Sequence, residues 1–235
     1  MSSSPTSGPR NYLADLLRGH LKSIRSRWRA LPAGRIATIV LAVLRHDQRL
    51  ADMAGGNDVS ATTIRRWRDE LITLLAAKAP RLDRALKKIA RRGGEVVLID
   101  GTLIPTQRRT GTANRPNYSG YHHRHGLHVL ALTDERGRMI WISAARPGRT
   151  HDAPSAWTTT RMTPWSSPAS RPPAPASSSP ATGSEPGARR RTRPVEHGFA
   201  HPQNWRILTK LRTDPARATG LLRALFVLTN LEGAR

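Results

Sequence analysis

The sequence predicts an α/β protein: an N-terminal helical domain, then a mixed α/β domain that is interrupted late by a segment unable to form a core. Three observations carry this prediction. Apolar residues recur at helical spacing from Asn11 to Arg92. After Arg91-Arg92-Gly93-Gly94 the pattern turns extended. From Trp157 to Pro194, 38 residues contain no Leu, Ile, Val, Phe or Tyr and one acid, Glu185, so this stretch, mostly Ser, Pro, Ala, Thr and Arg, cannot contribute to a core. The expected division is therefore residues 1–9 disordered, 10–92 helical, 93–156 the first part of the α/β domain, 157–194 a disordered insert, and 195–235 a C-terminal helical part.

The first helix is carried by Tyr12, Leu13, Leu16, Leu17, Leu21, Ile24 and Trp28, with Arg18, Lys22, Arg25 and Arg29 on the other side. Pro32 and Gly34 punctuate its end. A second stripe runs through Ile36, Ile39, Val40, Val43 and Leu44, and a third, short one through Leu50 and Met53 before Gly55-Gly56-Asn57 breaks it. Ser60 is a natural N-cap for the next helix. Ile64, Trp67, Leu71, Leu74 and Leu75 line one face of that helix, and Arg65, Arg66 and Arg68 the other.

A short helix, a Gly turn and a basic helix form the pattern of a helix-turn-helix, whose second helix enters the major groove of DNA. Its leading residues are Ala61, Thr62, Thr63, Arg65 and Arg66, with Arg68 one turn further. Arg bonds guanine bidentately, and Thr offers a hydroxyl and a methyl. An ordinary helical hairpin with solvated arginines is the alternative.

Glu95-Val96-Val97-Leu98-Ile99 is a compact run suited to a buried strand that ends in Asp100-Gly101-Thr102. Gly126–Thr133 and Arg138–Ala144 read as two strands joined by the turn Asp134-Glu135-Arg136-Gly137. The loop Arg146–Ala153 then delivers a second acid, Asp152. After the insert, helical spacing returns through Phe199, Trp205, Ile207, Leu208 and Leu211. It continues through Leu221, Leu222, Leu225, Phe226, Leu228 and Leu231, a stripe that serves either the core or a homodimer contact.

Charge and composition bound the function. There are 39 Lys+Arg against 16 Asp+Glu, a formal charge of +23 and a pI near 11.9. Such an excess repels itself and is commonly neutralised by a polyanion such as DNA or RNA, which makes nucleic acid the expected partner. The absence of cysteine excludes a disulfide scaffold and a thiolate zinc site, and the cytoplasm is the expected compartment. No membrane partner is expected: the longest apolar run, Ile36–Leu44, falls short of the roughly 18 residues a span needs. MSSSPTSGPR has no apolar stretch of an export signal. With two Phe and three Tyr, the aromatic platforms of an RNA-recognition module are scarce.

Asp100, Asp152 and Glu196 stand out as a candidate set of hard oxygen ligands for a two-metal phosphoryl-transfer site, which suits Mg²⁺ or Mn²⁺. Strand-end and helix-start caps are the alternative for acids so placed. The local words go further. They are Leu98-Ile99-Asp100-Gly101-Thr102, Tyr118-Ser119-Gly120-Tyr121 leading to His125-Gly126-Leu127, Pro147-Gly148-Arg149-Thr150-His151-Asp152-Ala153, and Val195-Glu196 leading to Asn204-Trp205-Arg206-Ile207-Leu208. In this order they resemble the DDE superfamily endonucleases, the transposases of bacterial insertion sequences.

That resemblance implies an RNase H-like catalytic fold, a mixed sheet flanked by helices, behind a DNA-binding helix-turn-helix. It implies that Asp100, Asp152 and Glu196 are the catalytic, metal-binding acids, holding divalent cations that cut DNA at the element's terminal repeats and join it to target DNA. The Tyr118-Ser119-Gly120 word would shape the loop beside the site. His122, His123, His125 and His128 with Arg124 read as a basic loop on phosphates rather than a zinc site.

Two departures from the family pattern follow the second acid. The low-complexity stretch replaces further strands and a word resembling Asp-Lys-Gly-Tyr, and its Arg, Pro, Ala, Ser and Thr mixture is what an out-of-frame reading of a GC-rich gene yields. Beyond Glu196, Gly198 and Pro202 interrupt the helix in which that acid would sit, Pro at a cost of ~3 kcal/mol or more. Two functional readings follow: a transposase-type endonuclease, or a catalytically inactive DNA-binding remnant of one.

Overall fold

The computed structural model describes residues 8–26, 29–91, 96–107, 112–134, 138–152, 204–211 and 214–233. Five helices come first: α1 (Pro9–Ser23), α2 (Ala33–His46), α3 (Leu50–Gly55), α4 (Ala61–Ala76) and α5 (Leu82–Ala90). Strands β1 (Val96–Pro105), β2 (Tyr118–Ser119), β3 (Arg124–Asp134), β4 (Met139–Ile142) and β5 (Arg146–Pro147) follow, and α6 (Pro215–Glu232) closes the chain. The architecture is thus mixed α and β. Among the described residues no helix is long and apolar enough to cross a membrane.

The helical period accounts for most of the first half. On α2, Ile36, Ile39, Val40, Val43 and Leu44 are all buried, and on α4 Ile64, Trp67, Leu71 and Leu75 are. Ser60 caps α4 as expected, its hydroxyl accepting from the Thr63 amide at 3.1 Å. The turn before it is pinned by Asn57, whose amide donates to the Met53 carbonyl at 2.8 Å and whose oxygen accepts from Arg35 Nε at 3.0 Å.

The first helix is shorter than its apolar period suggests. It stops at Ser23, where the Ser26 amide donates to the Leu21 carbonyl at 2.9 Å and the Arg25 amide to the Lys22 carbonyl at 3.2 Å, with Arg25 at φ 53°. These paired bonds are a Schellman closure, achieved here without glycine. Ile24 consequently points outward, 51% exposed, and Trp28 lies outside the described residues. Arg29 does not join a solvated face. Its guanidinium donates to Glu70 Oε1 on α4 at 2.7 Å, and His20 Nε2 stands 3.2 Å from the same oxygen.

In the sheet, β3 is central. It runs antiparallel to β1 along one edge, from Pro105 opposite Gly126 to Val96 opposite Asp134. The other edge is shared by β2 opposite Arg124 and His125, β5 opposite Leu127 and His128, and β4 opposite Ala131 to Thr133. Every described pairing is antiparallel. The β3–β4 hairpin closes where expected: the Asp134 amide donates to the Arg138 carbonyl at 2.9 Å, and the Asp134 carboxylate accepts from the Arg138 amide at 2.9 Å. The first strand differs from expectation. It continues through Gly101-Thr102 to Pro105, because β3 offers an unbroken ladder along it, so Asp100 sits mid-strand rather than at an exit.

Helix α6 joins the two halves. Asp214 caps it through the Ala216 amide at 2.9 Å, and Pro215 occupies its first turn. It packs along α4 and touches α1 and β4, which explains why Leu222, Ala224, Leu225, Phe226 and Leu228 are all buried. The Leu221–Leu231 stripe is therefore core within the chain. Polar contacts reinforce the join: Asn230 Nδ2 donates to the Met139 carbonyl at 3.1 Å, and Thr219 Oγ1 accepts from the Ala145 amide at 2.9 Å.

Candidate functional site

Two regions hold the residues singled out from the sequence. In the first, Asp100 stands on β1 opposite Ala131, and Asp152 ends the 3-10 turn Gly148–Asp152 that follows β5. The turn starts in a tight place. A Cβ on Gly148 would lie 2.5 Å from the Asn117 carbonyl oxygen and 2.9 Å from that of Gly126. A Cβ on Gly126 would in turn lie 2.6 Å from Leu103 Cγ and 2.8 Å from the Ile104 oxygen. Glycine at both positions lets the end of β1, the start of β3 and the Asp152 turn approach backbone to backbone.

The register gives the separation of the two acids' elements. Asp100 shares a row with Ala131, whereas Pro147, the last strand residue before the turn, shares one with Leu127, four residues or about 13 Å along β3. Asp100 thus stands within the sheet, whereas Asp152 stands past its edge, at the end of the turn that Pro147 leads into. Glu196 lies outside the described residues, as do the insert and the Gly198 to Pro202 interruption. Among the described residues no group of three or more His, Cys, Asp or Glu side chains is placed to hold a metal ion.

In the second region, α4 sorts the five residues expected at DNA into two sets. Thr62, Arg65 and Arg66 are exposed on the side opposite Ile64 and Trp67. Thr63 is half-buried with its hydroxyl 2.9 Å from that of Ser60, so it belongs to the cap. Arg68 is also half-buried, donating through Nε to Asp69 Oδ1 at 2.9 Å, so its guanidinium is already paired within the helix. The Glu70 contacts to His20 and Arg29 brace α4 from behind. Sequence reasoning had no signal for that brace, since Arg29 and Glu70 are 41 residues apart.

The Tyr118-Ser119-Gly120 word lies between these acids in sequence and beside the Asp152 turn in space, because β2 packs against that turn. Ser119 is wholly buried, and its hydroxyl accepts from the His122 amide at 3.3 Å. Asn117, 2% exposed, supplies the carbonyl against Gly148. The word builds the wall on which the turn rests.

Residues 99–160 match the family model of the DDE superfamily endonucleases, about a quarter of the chain and the stretch that contains both Asp100 and Asp152. No curated protein and no solved structure matches the chain.

Proposed function

We propose that this chain is a transposase-type DNA endonuclease, in which α4 binds the duplex at an element end and the carboxylates of Asp100, Asp152 and Glu196 serve hydrolysis of a DNA phosphodiester followed by strand transfer. The observation that carries the proposal is the family match over residues 99–160, which spans the first two acids and the motifs between them. The exposed Thr62, Arg65 and Arg66 on a capped, braced helix support the duplex-binding half.

The donor set fits a divalent metal. Carboxylate oxygens are hard ligands suited to Mg²⁺ or Mn²⁺, and the chain has no cysteine to favour a softer ion. Asp100, Asp152 and Glu196 would hold such ions, whose chemistry is to lower the pKa of the attacking water and to neutralise charge on the leaving oxygen. The chain's own groups would do the rest. Arg65 and Arg66 anchor the duplex, the Gly126 and Gly148 contacts hold the Asp152 turn against the sheet, and β3 keeps Asp100 in register with Ala131.

The test is nicking of supercoiled plasmid by the full chain with Mg²⁺ or Mn²⁺, beside Asp100→Ala and an EDTA control. Metal-dependent nicking that Asp100→Ala abolishes supports the enzyme. Retarded DNA with no nicking supports the second reading, an inactive DNA-binding remnant, which the low-complexity stretch between Asp152 and Glu196 favours.

A further inference from the structure

The side chains of the turn between β2 and β3 are not used by the hydrolysis proposed for the acids, yet they form an unusual surface. Tyr121 is 72% exposed and Tyr118 42%, so two of the chain's three tyrosines stand out at one place. Neither ring is loose. Tyr118 meets the His125 ring edge-on with centroids 5.2 Å apart, and Tyr121 meets His122 the same way at 4.9 Å. The His122 ring lies 5.6 Å from that of His128, which is 2% exposed on β3, so a relay of rings ties Tyr121 to the interior of the sheet. The backbone is held as well, by the buried Ser119 hydroxyl on the His122 amide and by His123 at φ 49°.

Arginines outnumber acids around these rings, where Asp152 ends the adjoining turn. No acidic residue occurs from Gly101 to Thr133 or from Arg138 to His151, while Arg115, Arg124 and Arg149 are exposed. Exposed aromatic rings held rigid amid arginines are the elements by which single strands are bound: bases stack on the rings and phosphates meet the cations. A duplex offers no free base face to such rings, whereas an unpaired strand does.

We infer that this turn is a stacking platform for single-stranded DNA, seating unpaired bases on Tyr121 and Tyr118 with the backbone phosphates on Arg115, Arg124 and Arg149. The choice of DNA over RNA rests on the function proposed above. Because β2 packs against the turn that ends in Asp152, a strand lying on the platform passes beside that acid. The duplex surface of α4 and this single-strand surface are then separate, with separate residues.

The experiment measures binding of the full chain to a fluorescent dT12 strand, a fluorescent U12 strand and a blunt duplex, for wild type, Tyr121→Ala, Tyr121→Phe and Tyr118→Ala. Tyr121→Ala is expected to weaken dT12 binding about 5- to 150-fold, the effect of losing one stacked base, and Tyr121→Phe to retain it. Duplex affinity and the melting temperature stay unchanged, since the ring is exposed. Equal loss on dT12 and duplex, or no loss on dT12, overturns the platform. Tighter binding of U12, lost in Tyr121→Ala, overturns it in favour of an RNA surface. Failure of wild type to bind the duplex while dT12 binding stands, sensitive to Tyr121, sinks the duplex half of the proposed function and leaves the platform standing.

Discussion

Gly148 rests its Cα against the carbonyl of Asn117 so closely that a methyl group there would sit 2.5 Å from the oxygen. The neighbour on the other side is also backbone, the Gly126 oxygen at 2.9 Å, so neither contact can give way by a rotamer change. Gly148→Ala is therefore expected to destabilise the chain by about 1–3 kcal/mol, the usual cost of overpacking. It also displaces the turn that leads to Asp152. Urea denaturation reads the first effect, and plasmid nicking the second. An unchanged midpoint would mean that the Asn117 wall moves freely and does not position the turn.

Trp205 is the anchor by which the C-terminal segment holds the helical half. It is 1% exposed, its indole N–H donates to Thr229 Oγ1 at 3.1 Å, and the Arg45 guanidinium lies 4.7 Å from the ring centroid. Trp205→Ala should cost about 3–5 kcal/mol. Glu232 pairs with Arg45 as well, but both are more than a third exposed, so Glu232→Gln should cost no more than about 1 kcal/mol. Thermal or urea unfolding of the two variants side by side checks the ranking. A larger effect from Glu232 would show that the ion pair, and not the buried indole, makes the join.

Ser60 satisfies one of the free amides at the start of α4. Ser60→Ala removes that acceptor and also the hydroxyl that Thr63 contacts, for an expected loss of about 0.5–2 kcal/mol, while Ser60→Asp should keep most of the stability. The comparison by chemical denaturation separates capping from simple packing. If Asp fails to restore what Ala loses, the cap is not what stabilises this helix.

Arg65 and Arg66 should weaken duplex binding when changed to Ala, and Arg68→Ala should do so less, because Asp69 already engages its guanidinium. If the lost contacts are to phosphates, the log–log slope of affinity against salt falls by about 0.9 for each. If they are to bases, the slope stays and discrimination drops by ~1–3 kcal/mol per base pair. Titration of the three variants over a range of salt concentrations decides between these. Equal effects from Arg68 and Arg65 would overturn the orientation assigned to α4.

What the sequence by itself determined is what neighbouring residues determine. The stripe from Ile36 to Leu44 makes a helix because its apolar groups share a face, and Ser60 starts the next because its hydroxyl reaches an amide three residues on. The Asp134–Arg138 turn closes through atoms four residues apart. The words around Asp100 and Asp152 were likewise readable, because a family's motifs are local strings.

Contacts between distant segments decided the remainder. The end of α1 at Ser23 ran against the apolar period, and the released chain brought Arg29 to Glu70. The extension of β1 beyond Asp100 followed from β3's ladder, since a strand lasts as long as its partner does. Arg45 meets Glu232 across 187 positions, and the Tyr121–His122–His128 relay needs β3 to set one imidazole behind another. No periodicity within a window of ten or twenty residues encodes such meetings. They depend on which buried faces find each other once the whole chain has packed.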